Sequence, residues 1–143
     1  APGPAAAQAG KRVDLNGLRV LVLDDNAEVR RVTADYLLEE GAEVVALGSA
    51  SEGLAALASA EFDAVVSDIV MPGGEDGLAL AETVRVRWPH VPVLLLSGYS
   101  ASLAEAGARG FRVLRKPYPL PELGGLLGDL VGPEPPTRRD ASA

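Results

Sequence analysis

Five short apolar runs recur along the chain and alternate with stretches of helical periodicity. The runs occupy residues 18–23, 43–47, 64–66, 91–96 and 112–115. Short apolar runs bounded by turn residues are typical of buried strands, and a parallel sheet buries both faces of its strands. The pattern therefore predicts an α/β fold whose parallel strands are joined by right-handed helical crossovers.

Five helical segments complete the alternation, at residues 27–40, 51–60 and 78–88, then an Ala-rich segment ending at residue 108, and residues 120–131. In the first helix Val29, Val32 and Tyr36 lie on one face, with Asn26 as the N-terminal cap and Gly41 as the stop. The last segment carries an apolar leucine stripe but also three glycines, at 124, 125 and 128. Each glycine costs about 1 kcal/mol of helix propensity, so we expect this helix to fray.

The elements span residues 17–131, which predicts one folded domain. Residues 1–16 and 132–143 are rich in Pro and small or polar residues, which predicts disordered tails or linkers. The start has neither a basic segment nor an apolar signal segment, and it lacks an initiator Met. We expect the chain to be a fragment of a longer protein or a trimmed product.

Composition narrows the function classes. The net charge of −7 over 143 residues argues against direct nucleic-acid binding, which requires clustered Lys and Arg. The chain has no cysteine and no apolar run near the ~20 residues of a membrane span. These features are compatible with the cytoplasm, where we expect the protein to reside.

Chemically useful side chains follow four of the five predicted strands. Because carboxyl ends of parallel strands share one edge, where open α/β sheets bind ligands, we expect these residues to converge. They are Asp24 and Asp25 after the first strand, Asp68 after the third, Ser97 after the fourth and Lys116 after the fifth.

Three converging carboxylates need a cation, and the few protein oxygens favour Mg²⁺ over Ca²⁺. Together with the hydroxyl of Ser97 and the ammonium of Lys116, the three carboxylates provide the groups that phosphoryl transfer requires. Asp68 would be the nucleophile, Lys116 a fixed positive charge and Ser97 a hydrogen-bond donor. Singly, each has a plainer interpretation as a turn residue or a solvated charge; together, at four strand ends, they favour a site.

The segments LVLDDN, SDIVMP followed by the Asp-Gly pair at 76–77, LLLSGY and LRKPY, in this order, resemble the receiver domain of bacterial two-component response regulators. The resemblance implies a flavodoxin-like three-layer sandwich with strand order 2-1-3-4-5 and five helices. It implies that Asp68 accepts a phosphoryl group from the phosphohistidine of a histidine kinase or histidine phosphotransfer protein. It further implies that Asp24, Asp25, Asp68 and the backbone carbonyl of Val70 hold Mg²⁺, that Ser97 and Lys116 contact the phosphoryl group, and that the bond before Pro117 is cis.

In this family phosphorylation repacks the fourth helix, fifth strand and fifth helix into a docking surface, which is also the candidate surface for a homodimer. Two departures stand out. Val113 occupies a position where receivers often carry an aromatic residue, so a rotamer switch of Tyr or Phe is not expected at that position. Tyr99 would substitute for it in part. The loop at residues 71–77 is one residue longer than usual and contains Gly73 and Gly74. The only histidine, His90, lies in a predicted solvated loop.

The resemblance is greatest to receivers at the C-terminus of hybrid sensor histidine kinases. A stand-alone receiver acting as a phosphate shuttle or sink, and a docking module that works without phosphorylation, remain as alternatives. So do an FMN-binding flavodoxin, which Asp24 and Asp25 disfavour by repelling phosphate, and a haloacid dehalogenase type phosphatase, whose DxD pattern is missing. The domain alone is not expected to be a conventional enzyme.

Overall fold

The computed structural model describes residues 14–71 and 76–131. The strands are β1 (Arg19–Leu23), β2 (Glu43–Leu47), β3 (Ala64–Asp68), β4 (Val93–Ser97) and β5 (Arg112–Arg115). The helices are α1 (Ala27–Glu39), α2 (Ala50–Ser59), α3 (Gly77–Arg87), α4 (Ser100–Ala108) and α5 (Leu120–Val131).

The five strands form one sheet in the order β2-β1-β3-β4-β5, and every neighbouring pair is parallel. This confirms the predicted flavodoxin-like arrangement. Since the strand order reverses between β1 and β3, the loops after these two strands flank a crevice at the carboxyl edge of the sheet.

Alternate residues of each strand bury on opposite faces, which gives two cores. On one face Leu37 of α1 and Leu123 of α5 pack in a cluster with Val20 and Val22. On the other face α2, α3 and α4 cover a cluster that includes Leu21 and Leu23. Buried on both sides, β1 and β3 are held rigidly, so the residues at their carboxyl ends are well positioned.

Three elements, β2, β5 and α5, have the bounds that the sequence predicts, and α4 ends at the predicted residue 108. The other elements differ by one or two residues at one or both ends. Strand β4, for example, begins at Val93 and not at residue 91. The reason is a turn after α3, in which the N–H of Val91 donates to the carbonyl of Trp88 at 2.9 Å. That donor is therefore not free for the sheet.

The ordered fold begins before the predicted boundary at residue 17. Leu15, which the sequence pattern placed in the N-terminal tail, is fully buried in the core cluster of α1 and α5. Its N–H donates to the carbonyl of Glu40 at 3.1 Å. The two glycines Gly73 and Gly74 and most of both predicted tails lie outside the described residues.

One of the three glycines of α5 is required for packing, which its low helix propensity does not indicate. Gly124 is buried, and a Cβ at this position would collide with the hydroxyl of Tyr36 on α1. Gly125 and Gly128, in contrast, have open space around the position of a Cβ. Among the residues described, no helix has the length and apolarity needed to cross a membrane.

Candidate functional site

The carboxyl edge of the sheet brings the predicted site residues together. Asp24 directly follows β1, Asp68 is the last residue of β3, Ser97 is the last of β4 and Lys116 directly follows β5. Asp24, Asp68 and Ser97 are buried, with exposed fractions of 3%, 7% and 3%. Buried polar side chains at strand ends are costly unless they are paired, so their partners define the site.

Lys116 bridges two of the carboxylates. Its Nζ lies 2.7 Å from Oδ1 of Asp68 and 3.6 Å from Oδ2 of Asp24. Burial alone would lower the pKa of the Lys116 ammonium, but the hydrogen bond and charge of Asp68 outweigh it and raise the pKa above its ordinary value. Lys116 is therefore a permanent cation in the site.

The Asp68 carboxyl has its pKa raised from 3.8 to about 6. Burial is the largest cause, and the negative charge of Asp24 adds to it, while the hydrogen bond from Lys116 acts in the opposite direction. One cation is thus insufficient for the carboxylates that meet here, which leaves the site electrostatically suited to a second cation.

Asp24, Asp25 and Asp68 each offer a carboxylate oxygen, and these three atoms lie within 4.8 Å of one another. The side chain of Asp24 is fixed, because its Oδ1 accepts a hydrogen bond of 2.9 Å from the N–H of Asn26. Asp25 is exposed at the mouth of the site. A set of hard oxygen donors with an open side fits Mg²⁺, which retains several water ligands.

Val70, predicted to contribute a backbone carbonyl, stands two residues after Asp68 at the start of the following loop. It forms an isolated antiparallel bridge with Asp76, on the far side of the loop. Asp76 in turn caps α3, since its Oδ1 accepts a hydrogen bond of 2.7 Å from the N–H of Ala79. The base of the loop is thus closed, which holds Val70 next to Asp68.

Ser97 is tied to the loops on both sides of it. Its Oγ accepts a hydrogen bond of 3.0 Å from the N–H of Tyr99, and its carbonyl accepts one of 2.9 Å from the N–H of Lys116. The Lys116–Pro117 peptide bond is cis, as the resemblance implied. The backbone therefore couples the hydroxyl residue directly to the lysine.

Gly77, the first residue of α3, closes one of the receiver-like motifs of the sequence, but no role was predicted for it. A Cβ here would collide with the carbonyl oxygen of Asp68, and that oxygen also accepts a hydrogen bond of 2.9 Å from the hydroxyl of Ser67. The N–H of Gly77 donates to the carbonyl of Ile69 at 2.7 Å. Only glycine lets α3 begin this close to Asp68, and the Asp-Gly pair after the loop is its signal in the sequence.

The other residues singled out from the sequence lie apart from the acidic group. His90 is exposed in the turn after α3. Val113 is half-buried on β5 against the core under α2, α3 and α4, and Tyr99 is 64% exposed at the start of α4. Position 113 of β5, three residues before Lys116, therefore holds an aliphatic and not an aromatic side chain.

Comparisons with known proteins identify the family to which the chain belongs. The family model of the response regulator receiver domain matches residues 20–126. The response regulator protein FleR of Pseudomonas aeruginosa is 43% identical over 83 residues, 58% of this chain and 17% of FleR. The sensor protein TorS of Escherichia coli K12 is 34% identical over 134 residues, 89% of this chain and 14% of TorS. The chain thus spans less than a fifth of the length of these two relatives.

Solved structures show the same fold. The response regulator TrrA of Thermotoga maritima, in complex with Mg²⁺ and BeF, has a TM-score of 0.73 and 29% identity, covering 79% of this chain and 98% of TrrA. The receiver domain of the hybrid histidine kinase CckA has a TM-score of 0.68 and 28% identity, covering 80% of this chain and 99% of that domain. The chain therefore belongs to the response regulator receiver domain family.

Proposed function

We propose that this domain accepts a phosphoryl group on Asp68 from the phosphohistidine of a histidine kinase or histidine phosphotransfer protein, in a Mg²⁺-dependent reaction. The observation that carries the proposal is the buried carboxylate of Asp68, bonded at 2.7 Å to Lys116 and grouped with Asp24 and Asp25. The metal would be held by Asp24, Asp25, Asp68 and the carbonyl of Val70, and it would neutralise charge on the transferring group.

The transfer step follows from the chemistry of these residues. An oxygen of Asp68 attacks phosphorus, the P–N bond to the donor histidine breaks, and the imidazole leaves with the electron pair and takes up a proton from solvent. With a pKa of about 6, Asp68 is largely ionised at neutral pH and so is ready to attack. Lys116 then pairs with the oxygens of the phosphoryl group on Asp68, and this contact replaces part of its contact with the carboxylate of Asp68.

Ser97 would couple phosphorylation of Asp68 to a change in conformation. Its hydroxyl oxygen already accepts from the N–H of Tyr99, so its hydrogen is free to be donated to a phosphoryl oxygen. Turning toward that oxygen would pull on the loop that leads into α4. The surface of α4, β5 and α5 is thus the proposed output, where a second copy or another partner would dock.

The donor must reach Asp68 from the mouth of the site, and a groove lies beside it. This groove of about 460 Å³ is lined by α1 and the loop after β5, including Val29, Val32 and Tyr118, and it shares Lys116 with the site. Val32 is 44% exposed there. We assign this groove to a helix of the phosphohistidine protein, because it offers apolar contact next to the acceptor.

We propose that the domain is the C-terminal receiver of a hybrid sensor histidine kinase in the cytoplasm. The alternative is a stand-alone receiver that acts as a phosphate shuttle or sink. The alignment with the sensor protein TorS, over 89% of this chain, supports the first setting. The size of the native protein separates the two. An immunoblot of source cells would give a band far above 14.7 kDa for the kinase and a band close to it for the stand-alone receiver.

The acceptor residue can be tested with phosphoramidate, a donor that carries the same P–N bond as phosphohistidine. After incubation with Mg²⁺, reduction with borohydride converts an aspartyl phosphate to homoserine, which peptide mass spectrometry locates in the sequence. We expect homoserine at position 68. Homoserine at another aspartate, or phosphate on a serine, would reject the assignment.

A further inference from the structure

Arg30 makes a contact that the phosphoryl transfer chemistry leaves unexplained. Its Nη1 donates a hydrogen bond of 2.6 Å to the backbone carbonyl of Asp24, six residues earlier in the chain. The guanidinium therefore binds the backbone of the loop after β1 and does not pair with a carboxylate of that loop. Arg30 lies in the first turns of α1 and is half-buried.

The neighbouring strand leaves room for this arginine. A Cβ at Gly48, just after β2, would lie 3.1 Å from Nη1 of Arg30, closer than side-chain carbons normally approach. Gly48 itself is held in place, because its N–H donates to Oε1 of Glu52 at 3.1 Å. The guanidinium is thus confined between the loop after β1 and the loop after β2.

The carbonyl that Arg30 holds belongs to the peptide unit that joins Asp24 to Asp25. The side chain of Asp24 has its own anchor at the N–H of Asn26. Asp25 is exposed, and among the described residues no hydrogen bond or ion pair to its side chain is found. Its place within 4.8 Å of the other two carboxylates therefore depends on the orientation of that peptide unit.

We propose that Arg30 is a positioning residue for the divalent cation: by holding the Asp24 carbonyl it fixes the peptide unit that presents Asp25 to the metal. The inference rests on the proposed function, since it assumes that the three carboxylates bind Mg²⁺. It predicts that Arg30 acts through geometry and not through its charge.

The direction in which Mg²⁺ affinity changes on substitution of Arg30 distinguishes a positioning role from a purely electrostatic one. A positive charge near a cation site weakens cation binding, so removal of the charge alone would tighten binding of Mg²⁺. Loss of a positioning contact has the opposite effect, and outer contacts of this kind are typically worth about tenfold or more in metal affinity. A purely structural role would lower the free energy of unfolding and leave the affinity unchanged.

The test is isothermal titration of the metal-free protein with Mg²⁺. We expect Arg30→Gln to weaken binding about tenfold and Arg30→Lys, which keeps a donor, to recover most of that loss. Arg31→Gln is the matched control, because it removes the same charge from the next residue, which is exposed. It should change the affinity by less than about twofold.

A second variant keeps the test valid if Arg30→Gln folds poorly. Gly48→Val crowds the guanidinium from the other side, so it should weaken Mg²⁺ binding in the native background and have no further effect in the Arg30→Gln background. Unchanged or tighter binding in Arg30→Gln and Gly48→Val overturns the inference. Absence of Mg²⁺ binding by the unsubstituted protein would instead overturn the metal site and the proposed function with it.

Discussion

The ammonium of Lys116 lies 2.7 Å from Oδ1 of Asp68, and the same nitrogen is 3.6 Å from Oδ2 of Asp24. A single cation thus serves two buried carboxylates that belong to different strands. Because the pKa of Asp68 is nevertheless raised to about 6, this pairing only partly compensates for burial and for the charge of Asp24. The site as described is short of positive charge, which explains why a metal ion would bind there.

Lys116→Met removes the cation and keeps the length of the side chain. We expect the pKa of Asp68 to rise further and the rate of phosphorylation by acetyl phosphate to fall about 100-fold, because a preorganised charge on the transferring group is lost. Arg112→Met, at an exposed position of β5, is the charge-matched control and should leave the rate unchanged. A rate within about twofold of the original in Lys116→Met would show that the lysine has no part in the reaction.

The raised pKa of Asp68 also predicts how stability depends on pH in the absence of metal. The folded protein holds this proton more tightly than the unfolded chain, so the contribution of Asp68 is present below pH 3.8 and is lost as pH rises through about 6. Asp68→Asn cannot lose a proton. Its free energy of unfolding should therefore increase relative to the original protein between about pH 4.5 and about pH 7.5.

Urea denaturation in the presence of a chelator measures this difference. Asp129→Asn, on the exposed side of α5, serves as the control for a change of one charge. If the difference in free energy of unfolding between Asp68→Asn and the original protein is the same at about pH 4.5 and about pH 7.5, Asp68 does not titrate in this range.

Gly77→Ala would place a methyl group against the carbonyl oxygen of Asp68. We expect a loss of about 2 kcal/mol in the free energy of unfolding, together with slower phosphorylation, because the end of β3 must move. Gly107→Ala, in α4, meets no atom within 4 Å and should stabilise the protein by about 0.5 kcal/mol. Equal effects of the two substitutions, measured by chemical denaturation, would mean that the close approach at Gly77 is unimportant.

The glycines of α5 offer a comparison within one helix. Gly128→Ala should raise the free energy of unfolding by about 0.5–1 kcal/mol through helix propensity. Gly124→Ala should lower it, because the new methyl group meets the hydroxyl of Tyr36. Tyr36→Phe removes that hydroxyl and should recover part of the loss in the double variant. A stabilising Gly124→Ala would contradict the packing described between α1 and α5.

Much of the site follows from the sequence because a parallel sheet brings the carboxyl ends of its strands to one edge. Asp24, Asp68 and Lys116 were expected to meet for that reason, and their carboxylates and ammonium do so. The hydroxyl of Ser97 was expected there as well, and it lies at the end of β4, bonded to Tyr99.

Other features depend on distances between segments that are remote in sequence. The burial of Leu15 is accompanied by a hydrogen bond from its N–H to the carbonyl of Glu40, directly after α1, and no local pattern reveals this contact. The close approach of Gly77 to Asp68 spans a loop, and the contact of Arg30 with Asp24 depends on space left by Gly48. Such features follow from packing and not from periodicity, so sequence patterns alone did not predict them.

The most direct test of the account is the intact mass of the protein after incubation with Mg²⁺ and acetyl phosphate. We predict a single phosphoryl adduct that is absent in Asp68→Asn and in the presence of a chelator, and that persists in Asp35→Asn, a control on the exposed side of α1. An adduct that survives in Asp68→Asn, or no adduct in a protein that demonstrably binds Mg²⁺, would contradict the assignment of Asp68 as the phosphoryl acceptor.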